Sequence, residues 1–347
     1  MSHIYNLKNV TKTVSALFPR INQTHYLETS LEHIYDDVYY PINSWKSDRF
    51  IEFRIPKSVT DFIDLANLHI QFELQCQKKT PVLNIWGADT KTAAGDHYDL
   101  INFTGQCIFK HLTIDFNNVQ VTNQVNYSLD AYIRLITQFS EQEINKIGKI
   151  YHIEKYESIV NEYNDDTYFE NLKPESSVYK RLLNIRDNGL FLRSPLMGDI
   201  CQLSNYLIDG VDITIRLILH DNNFIFSTAQ EDPNTVDGKK YSINLSDIKL
   251  CVRKIKPSDN AYKAFQKTIE PKNGIFPTLD YVFTSKSSRQ FHIPDGINEY
   301  IIDLPYANLI PEKIFIVFQK YDNFNTRDWK KNGLYLEYSH KQSINMN

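Results

Sequence analysis

The amino-acid sequence predicts a mainly β protein built of stacked antiparallel sheets, either a sandwich or a jelly roll. Three observations predict it. Apolar and polar residues alternate with a period of two through several stretches, as half-buried strands require. Tyr and Phe are abundant, at 22 and 20 of 347 residues, against only 11 Gly, and aromatic side chains suit a pleated, half-buried surface. The early strands also follow one another without the crossover helices that a parallel sheet needs.

Residues 1–29 are mostly polar and read as an N-terminal arm. Ile51, Phe53 and Ile55 then point one way, and Glu52 and Arg54 the other. After a corner at Asp61 to Asp64, the residues Leu68, Ile70, Phe72, Leu74 and Cys76 alternate with His69, Gln71, Glu73 and Gln75. Leu112, Ile114 and Phe116 lead through Asn117-Asn118, a hairpin turn, to Val119 and Val121. Ser128 is placed to cap a helix carrying Leu129, Tyr132, Ile133 and Ile136. From Glu141 to Lys180 the chain is polar and reads as a long surface loop.

The strongest alternation follows the Asp209-Gly210 turn: Val211, Ile213, Ile215, Leu217 and Leu219 are opposed by Asp212, Thr214 and Arg216. Burying five such side chains contributes a gross figure of roughly 10 kcal/mol. This strand is expected over the core. Tyr241, Ile243 and Leu245 precede Ser246-Asp247, after which Ile248, Leu250 and Val252 resume with shifted phase, the mark of a bulge or tight turn. Asp259 is placed to cap a short helix from Ala261 to Ile269.

One pattern occurs twice. Phe53, Ile55, Pro56, then Asp64 and Leu65 and an apolar run, are matched by Phe291, Ile293, Pro294, then Asp303 and Leu304 and the run Ile314, Ile316, Phe318. The separation far exceeds the ~20 to 50 residues of a solenoid unit and fits two tandem β domains. Few residues follow Phe291, so the second copy reads as truncated.

Composition narrows the function. A formal net charge of −4 argues against a surface that grips nucleic acid throughout, so any such contact is expected to be local and non-specific. Cys76, Cys107, Cys201 and Cys251 are scattered without zinc-ligand spacing and read as buried free thiols. Neither a signal peptide nor a membrane-spanning apolar stretch is visible.

Candidate chemistry is sparse. His97, Asp99 and His111 match no metal-ligand spacing, and Asp165, Asp166 and Glu170 lack the Gly-punctuated loop that wraps calcium. Asp187, Arg193 and Asp199, near Gly189 and Gly198, read as polar residues of a β corner rather than an acid–base set. No nucleophile elbow or phosphate-cradling Gly-rich loop occurs. The expectation is a protein without catalytic residues, cofactor or metal. Arg253, Lys254 and Lys256 cluster, as do Lys239-Lys240 and Arg327, Lys330 and Lys331.

Several segments in order resemble a known family. They are Tyr39-Tyr40-Pro41, Phe53-Arg54-Ile55-Pro56, Asp61 to Leu65, Ala131-Tyr132-Ile133, Asp209 to Leu217 and Ile248 to Lys254. They continue through Phe291-His292-Ile293-Pro294, Leu309 to Ile314 and Asp322 to Asn325. Together they resemble the double jelly-roll major capsid protein (hexon) of Maverick/Polinton elements and adintoviruses.

The resemblance implies two eight-stranded jelly rolls in tandem, and the chain divides accordingly into residues 1–29 as arm, 30–256 as first roll with long inserted loops, 257–277 as connector helix and linker, and 278–347 as the start of a second roll; the incompleteness of that second roll is a departure from the family. The resemblance also implies a structural subunit that forms homotrimers with a pseudo-hexagonal outline in an icosahedral virion shell. Neighbouring capsomers and penton or minor capsid proteins would be its partners, after synthesis in host cytoplasm. The segments from Pro81 to Asp99 and from Glu141 to Lys180 would be outward towers or contacts between subunits. Two alternatives remain: a single jelly-roll minor capsid or penton protein, and a carbohydrate-binding β-sandwich using Trp45, Trp86 and Trp329 as an aromatic platform.

Overall fold

The structure is a computed structural model. It describes residues 30–78, 98–140 apart from 102, 189–228, 241–271, 279–294 apart from 290, and 311–316, together with positions 142, 143, 146, 151, 299 and 301. Among the described residues ten strands are formed: β1 (Leu31–Tyr39), β2 (Phe50–Ile55), β3 (Phe62–Lys78), β4 (Tyr98–Leu100), β5 (Phe109–Phe116), β6 (Val119–Gln124), β7 (Leu190–Pro195), β8 (Ile213–Leu219), β9 (Phe226–Thr228) and β10 (Tyr241–Pro257). One sheet has the order β1-β10-β3-β7 and the other β2-β8-β5-β6, while β4 and β9 make a separate ribbon.

All described pairings are antiparallel. Leaving aside the β4–β9 ribbon, the chain changes sheet at every connection except the β5–β6 hairpin. That wrapping of eight strands into two four-stranded sheets is a jelly roll.

The apolar faces of the two sheets meet in one core. Ile215 lies between Phe53 and Ile114 in adjacent strands, and all three are fully buried. Phe72 and Phe109, from opposite sheets, meet edge to face with ring centroids 6.0 Å apart. Ile213 and Leu217 complete the inward row of β8. Val211 lies before this strand and is half-buried against the core.

Local sequence explains the bends. Asn117 and Asn118 have φ of 48° and 66°, two successive left-handed residues that make the β5–β6 turn match the twist of its strands. A register shift beyond Ile114 then turns Thr122 and Gln124 inward, leaving Val119 exposed. In β10 the phase change at Ser246-Asp247 is a bulge within one long strand, with Asp247 at φ 48°.

Two longer helices flank the roll. Helix α3 (Tyr127–Gln138), which follows the one-turn helices α1 (Trp45–Asp48) and α2 (Thr104–Cys107), starts before Ser128, so Ser128 is inside it rather than capping it. Its buried face carries Tyr127, Asp130, Ala131, Tyr132 and Leu135. Beyond a further turn, α4 (Asn222–Ile225), helix α5 (Asp259–Ile269) is capped by Ser258, whose hydroxyl accepts from the Ala261 N–H; Asp259 is its first residue. Phe265 of α5 packs on Phe62 and Ile255 outside the first sheet.

Beyond Ile269 no strand is formed among the described residues. Tyr281 and Phe283 instead pack against the core of the roll. The first half of the repeated pattern lies in ordered β structure, with Phe53 and Ile55 buried in β2, Pro56 exposed just beyond it, and Asp64 and Leu65 in β3. The second half differs: Phe291, Ile293 and Pro294 are exposed and outside any strand. Asp303 and Leu304 lie outside the described residues.

Candidate functional site

A buried cluster of ionisable side chains sits where α3 and the chain between β7 and β8 meet. β6 ends at Gln124 and α3 starts three residues later, which brings Asp130 and Arg134 beside Asp199. The Gln124 amide donates to Asp199 Oδ1 at 3.1 Å. Tyr127 hydroxyl donates to Gln106 and accepts the Met197 N–H at 2.9 Å. The segment at 279–289 then returns to this flank: Lys286 N–H donates to Asp199 Oδ2 at 2.9 Å, and its ammonium stands 3.7 Å from Oδ1.

Two further contacts fasten the same segment. Tyr281 hydroxyl accepts the Ile208 N–H at 3.1 Å and donates to the Tyr206 carbonyl at 3.2 Å. The Asn126 amide donates to Ser288 Oγ at 3.0 Å.

Burial governs the charges in this cluster. It pushes Asp130 up to about 6 against the opposing pull of Lys286, and raises Asp199 as well. It lowers both Lys286 and Arg134. Two carboxyls and two cations thus offset one another in a poorly solvated place. Asp130 and Asp199 are only 8% and 3% exposed, so the arrangement fastens chain segments inside the flank of the roll.

The sequence candidates do not converge. Arg193 projects from β7 and lies 3.6 Å from Asp36, whereas Asp199 is buried in the flank; Asp187 is outside the described residues. His111 meets Asn123 Oδ1 at 2.6 Å, Asp99 belongs to β4, and His97 is outside the described residues. Asp165, Asp166 and Glu170 are outside them too, as are Trp86 and Trp329, while Trp45 packs against the core.

A pair that sequence reasoning missed is Ser128 Oγ with His220 Nε2, at 2.9 Å, both buried. His220 stacks on Phe224, and burial drives the imidazole down to about 3, so it stays neutral and acts as a strut. Ninety-two residues separate the two, and no local pattern joins them.

All four cysteines are free and buried. Burial raises the Cys107 thiol and pushes Cys201 up to about 12, which suppresses the reactive thiolate. Among the described residues no group of three or more His, Cys, Asp and Glu could hold a metal ion. No described helix is long and apolar enough to cross a membrane.

The outer surfaces differ. Over β2-β8-β5-β6 the outward side chains pair by charge, with Arg54 2.8 Å from Asp212 and Arg216 2.6 Å from Glu52. Over β1-β10-β3-β7, Ile34, Val38 and Phe191 are exposed. The Arg253, Lys254, Lys256 cluster is matched, residue for residue, by β1: Asp36 at 3.1 Å, Asp37 at 2.8 Å and Glu32 at 3.0 Å. Lys254 and Asp37 face inward beside Tyr39, whose hydroxyl donates to Asp37 at 2.8 Å. Burial pulls the Lys254 ammonium down, but Asp37 and Tyr39 together carry it above its usual value.

No family model and no curated protein matches the chain. Among solved structures, it is similar to a chain of the Sputnik virophage determined by cryo-EM, at 15% identity and a TM-score of 0.43, covering 70% of this chain and 52% of that one. It is also similar to the Faustovirus major capsid protein, at 10% identity and a TM-score of 0.38, covering 77% and 64%. A chain of the PBCV-1 virus capsid aligns at 6% identity and a TM-score of 0.34, covering 70% and 47%. This chain therefore spans between about half and two thirds of the length of the structures it resembles.

Proposed function

We propose that this protein is a structural capsid subunit whose activity is symmetric self-association. The observation that carries the reading is the strand order: eight strands wrapped as β1-β10-β3-β7 over β2-β8-β5-β6. The ordered segments from Tyr39 to Asn325 that resemble the Maverick/Polinton and adintovirus hexon support it from the sequence side. On this reading the subunit forms trimers within an icosahedral shell, contacts penton or minor capsid proteins, and performs no catalysis. A jelly roll serves many functions, so the choice rests on the sequence segments as well as on the fold.

Electron microscopy of the purified protein tests the proposal. Trimers with a pseudo-hexagonal outline, or closed shells, are the expected result. Pentamers would assign a penton role instead. Dispersed monomers that bind glycans would overturn the capsid reading and favour a carbohydrate-binding module.

A further inference from the structure

We propose that β1 is an exchangeable strand, which leaves β10 of its own chain and pairs with β10 of a second copy. The inference stands apart from the capsid reading, because strand exchange between two copies needs no shell.

Burial gives the first argument. None of the nine residues of β1 is buried, and Ile34 and Val38 are 51% and 41% exposed. Its inward positions are Leu31, which packs on Phe62 and Ile255, and Tyr35, Asp37 and Tyr39, all only half-buried, whereas the neighbouring strand places the fully buried Leu250 and Val252. Little apolar area therefore holds β1 to the roll, and a strand at a sheet edge has only one ladder to break.

Charge gives the second and names the occupant. β1 carries Glu32, Asp36 and Asp37 and no Lys or Arg, while the facing stretch of β10 carries Arg253, Lys254 and Lys256. Three ion pairs join them at 2.8 to 3.1 Å. Two β1 strands would repel one another, as would two such stretches of β10. Only β1 against β10 is favoured, and a second copy supplies the same ladder with the same partners. The connection from Tyr40 to Arg49, whose second residue is Pro41, is the segment that would redirect the strand.

The register supplies a direct probe, since Val38 and the native Cys251 are Cα partners. In Val38→Cys alone, oxidation should give a bond within one chain, which checks the register. The exchange test mixes two full-length chains: one carrying Val38→Cys and Cys251→Ser, the other wild type. A disulfide between position 38 of the first and Cys251 of the second can form only if β1 crosses between copies.

After incubation near 1 M salt, where the Debye length falls to about 3 Å, the mixture is returned to low salt and oxidised. The expected product is a reducible dimer of unlike chains, mapped by peptide mass to these two positions. Its yield should rise severalfold with the salt of the incubation. An intrachain bond in the single variant, with no interchain product at any salt or protein concentration, would overturn the exchange. Interchain product whose yield ignores salt would overturn the electrostatic latch.

Discussion

Lys286 closes on Asp199 from the far side of the sequence, 87 residues away, through its backbone N–H at 2.9 Å and an ammonium 3.7 Å distant. This relationship fastens the segment after α5 to the flank of the roll. Removing the acceptor in Asp199→Ala strands the Gln124 amide and the Lys286 N–H and leaves the neighbouring cations short of a partner. A loss of roughly 2–4 kcal/mol is expected, read as a lower melting temperature with faster proteolysis between 279 and 289. Unchanged cleavage there would show that Asp199 does not hold the segment.

Asp130 makes the opposite electrostatic prediction to an ordinary surface acid. Burial raises its folded pKa from 3.8 to about 6, so the folded protein retains a proton that the unfolded chain releases. Its contribution is fully present below 3.8 and is lost as pH rises through about 6. Asp130→Asn should therefore gain stability relative to wild type between pH 4 and pH 7, by on the order of 2 kcal/mol. Chemical denaturation at the two pH values measures the change, and a constant difference would refute it.

Asp37 behaves in the other sense. Burial pushes its carboxyl up, but hydrogen bonds from Lys254 and Tyr39 outweigh that and hold it below 3.8. Its contribution is present above that value and is lost as pH falls through the folded pKa. Lys254, raised above 10.5, contributes below that value and loses its part as pH climbs further. Asp37→Asn should cost about 1 kcal/mol at pH 7, with the two melting curves converging in strong acid.

Position 215 tests the core. Ile215→Asp places a carboxylate between Phe53 and Ile114 with no partner, which should abolish soluble folding. Thr214→Asn, one residue away on the outer face between Arg54 and Asp115, should express and melt close to wild type. Equal solubility of the two proteins would contradict the assigned facing of β8.

Gly105 tests close packing. A Cβ built there would lie 2.8 Å from both Cβ and Oγ of Ser194, so Gly105→Ala should destabilise by roughly 1–3 kcal/mol. Ser194→Gly removes both offending atoms, and the double variant should recover much of the loss in a melting experiment. Failure of that rescue would place the strain elsewhere.

Residues that alternate cleanly announced themselves in the sequence. The inward row Leu68, Ile70, Phe72, Leu74 and Cys76 is the row that β3 buries, and the phase slip at Ser246-Asp247 is the bulge in β10. The hairpin at Asn117-Asn118 was equally legible, because its residues tolerate positive φ. Its continuation was not: the register shift after Ile114 sends Thr122 and Gln124 inward, and polar residues in a core carry no periodic signal.

Contacts between distant segments were the hardest to read. Asp199 stood out only as a polar residue near a corner, and nothing in its surroundings pointed to Asp130 or Lys286. The ion pairs of β1 were half visible, since the basic cluster at Arg253 to Lys256 was plain while its acidic partners lay more than two hundred residues upstream.

That distance has a consequence for biosynthesis. Asp36 and Arg253 are 217 residues apart, and translation proceeds at about 5–20 residues per second. β1 is therefore synthesised roughly 10 to 40 seconds before its partner in β10. Throughout that interval the first strand of the roll is without its place in the sheet, and chains growing side by side on one message would meet while it waits.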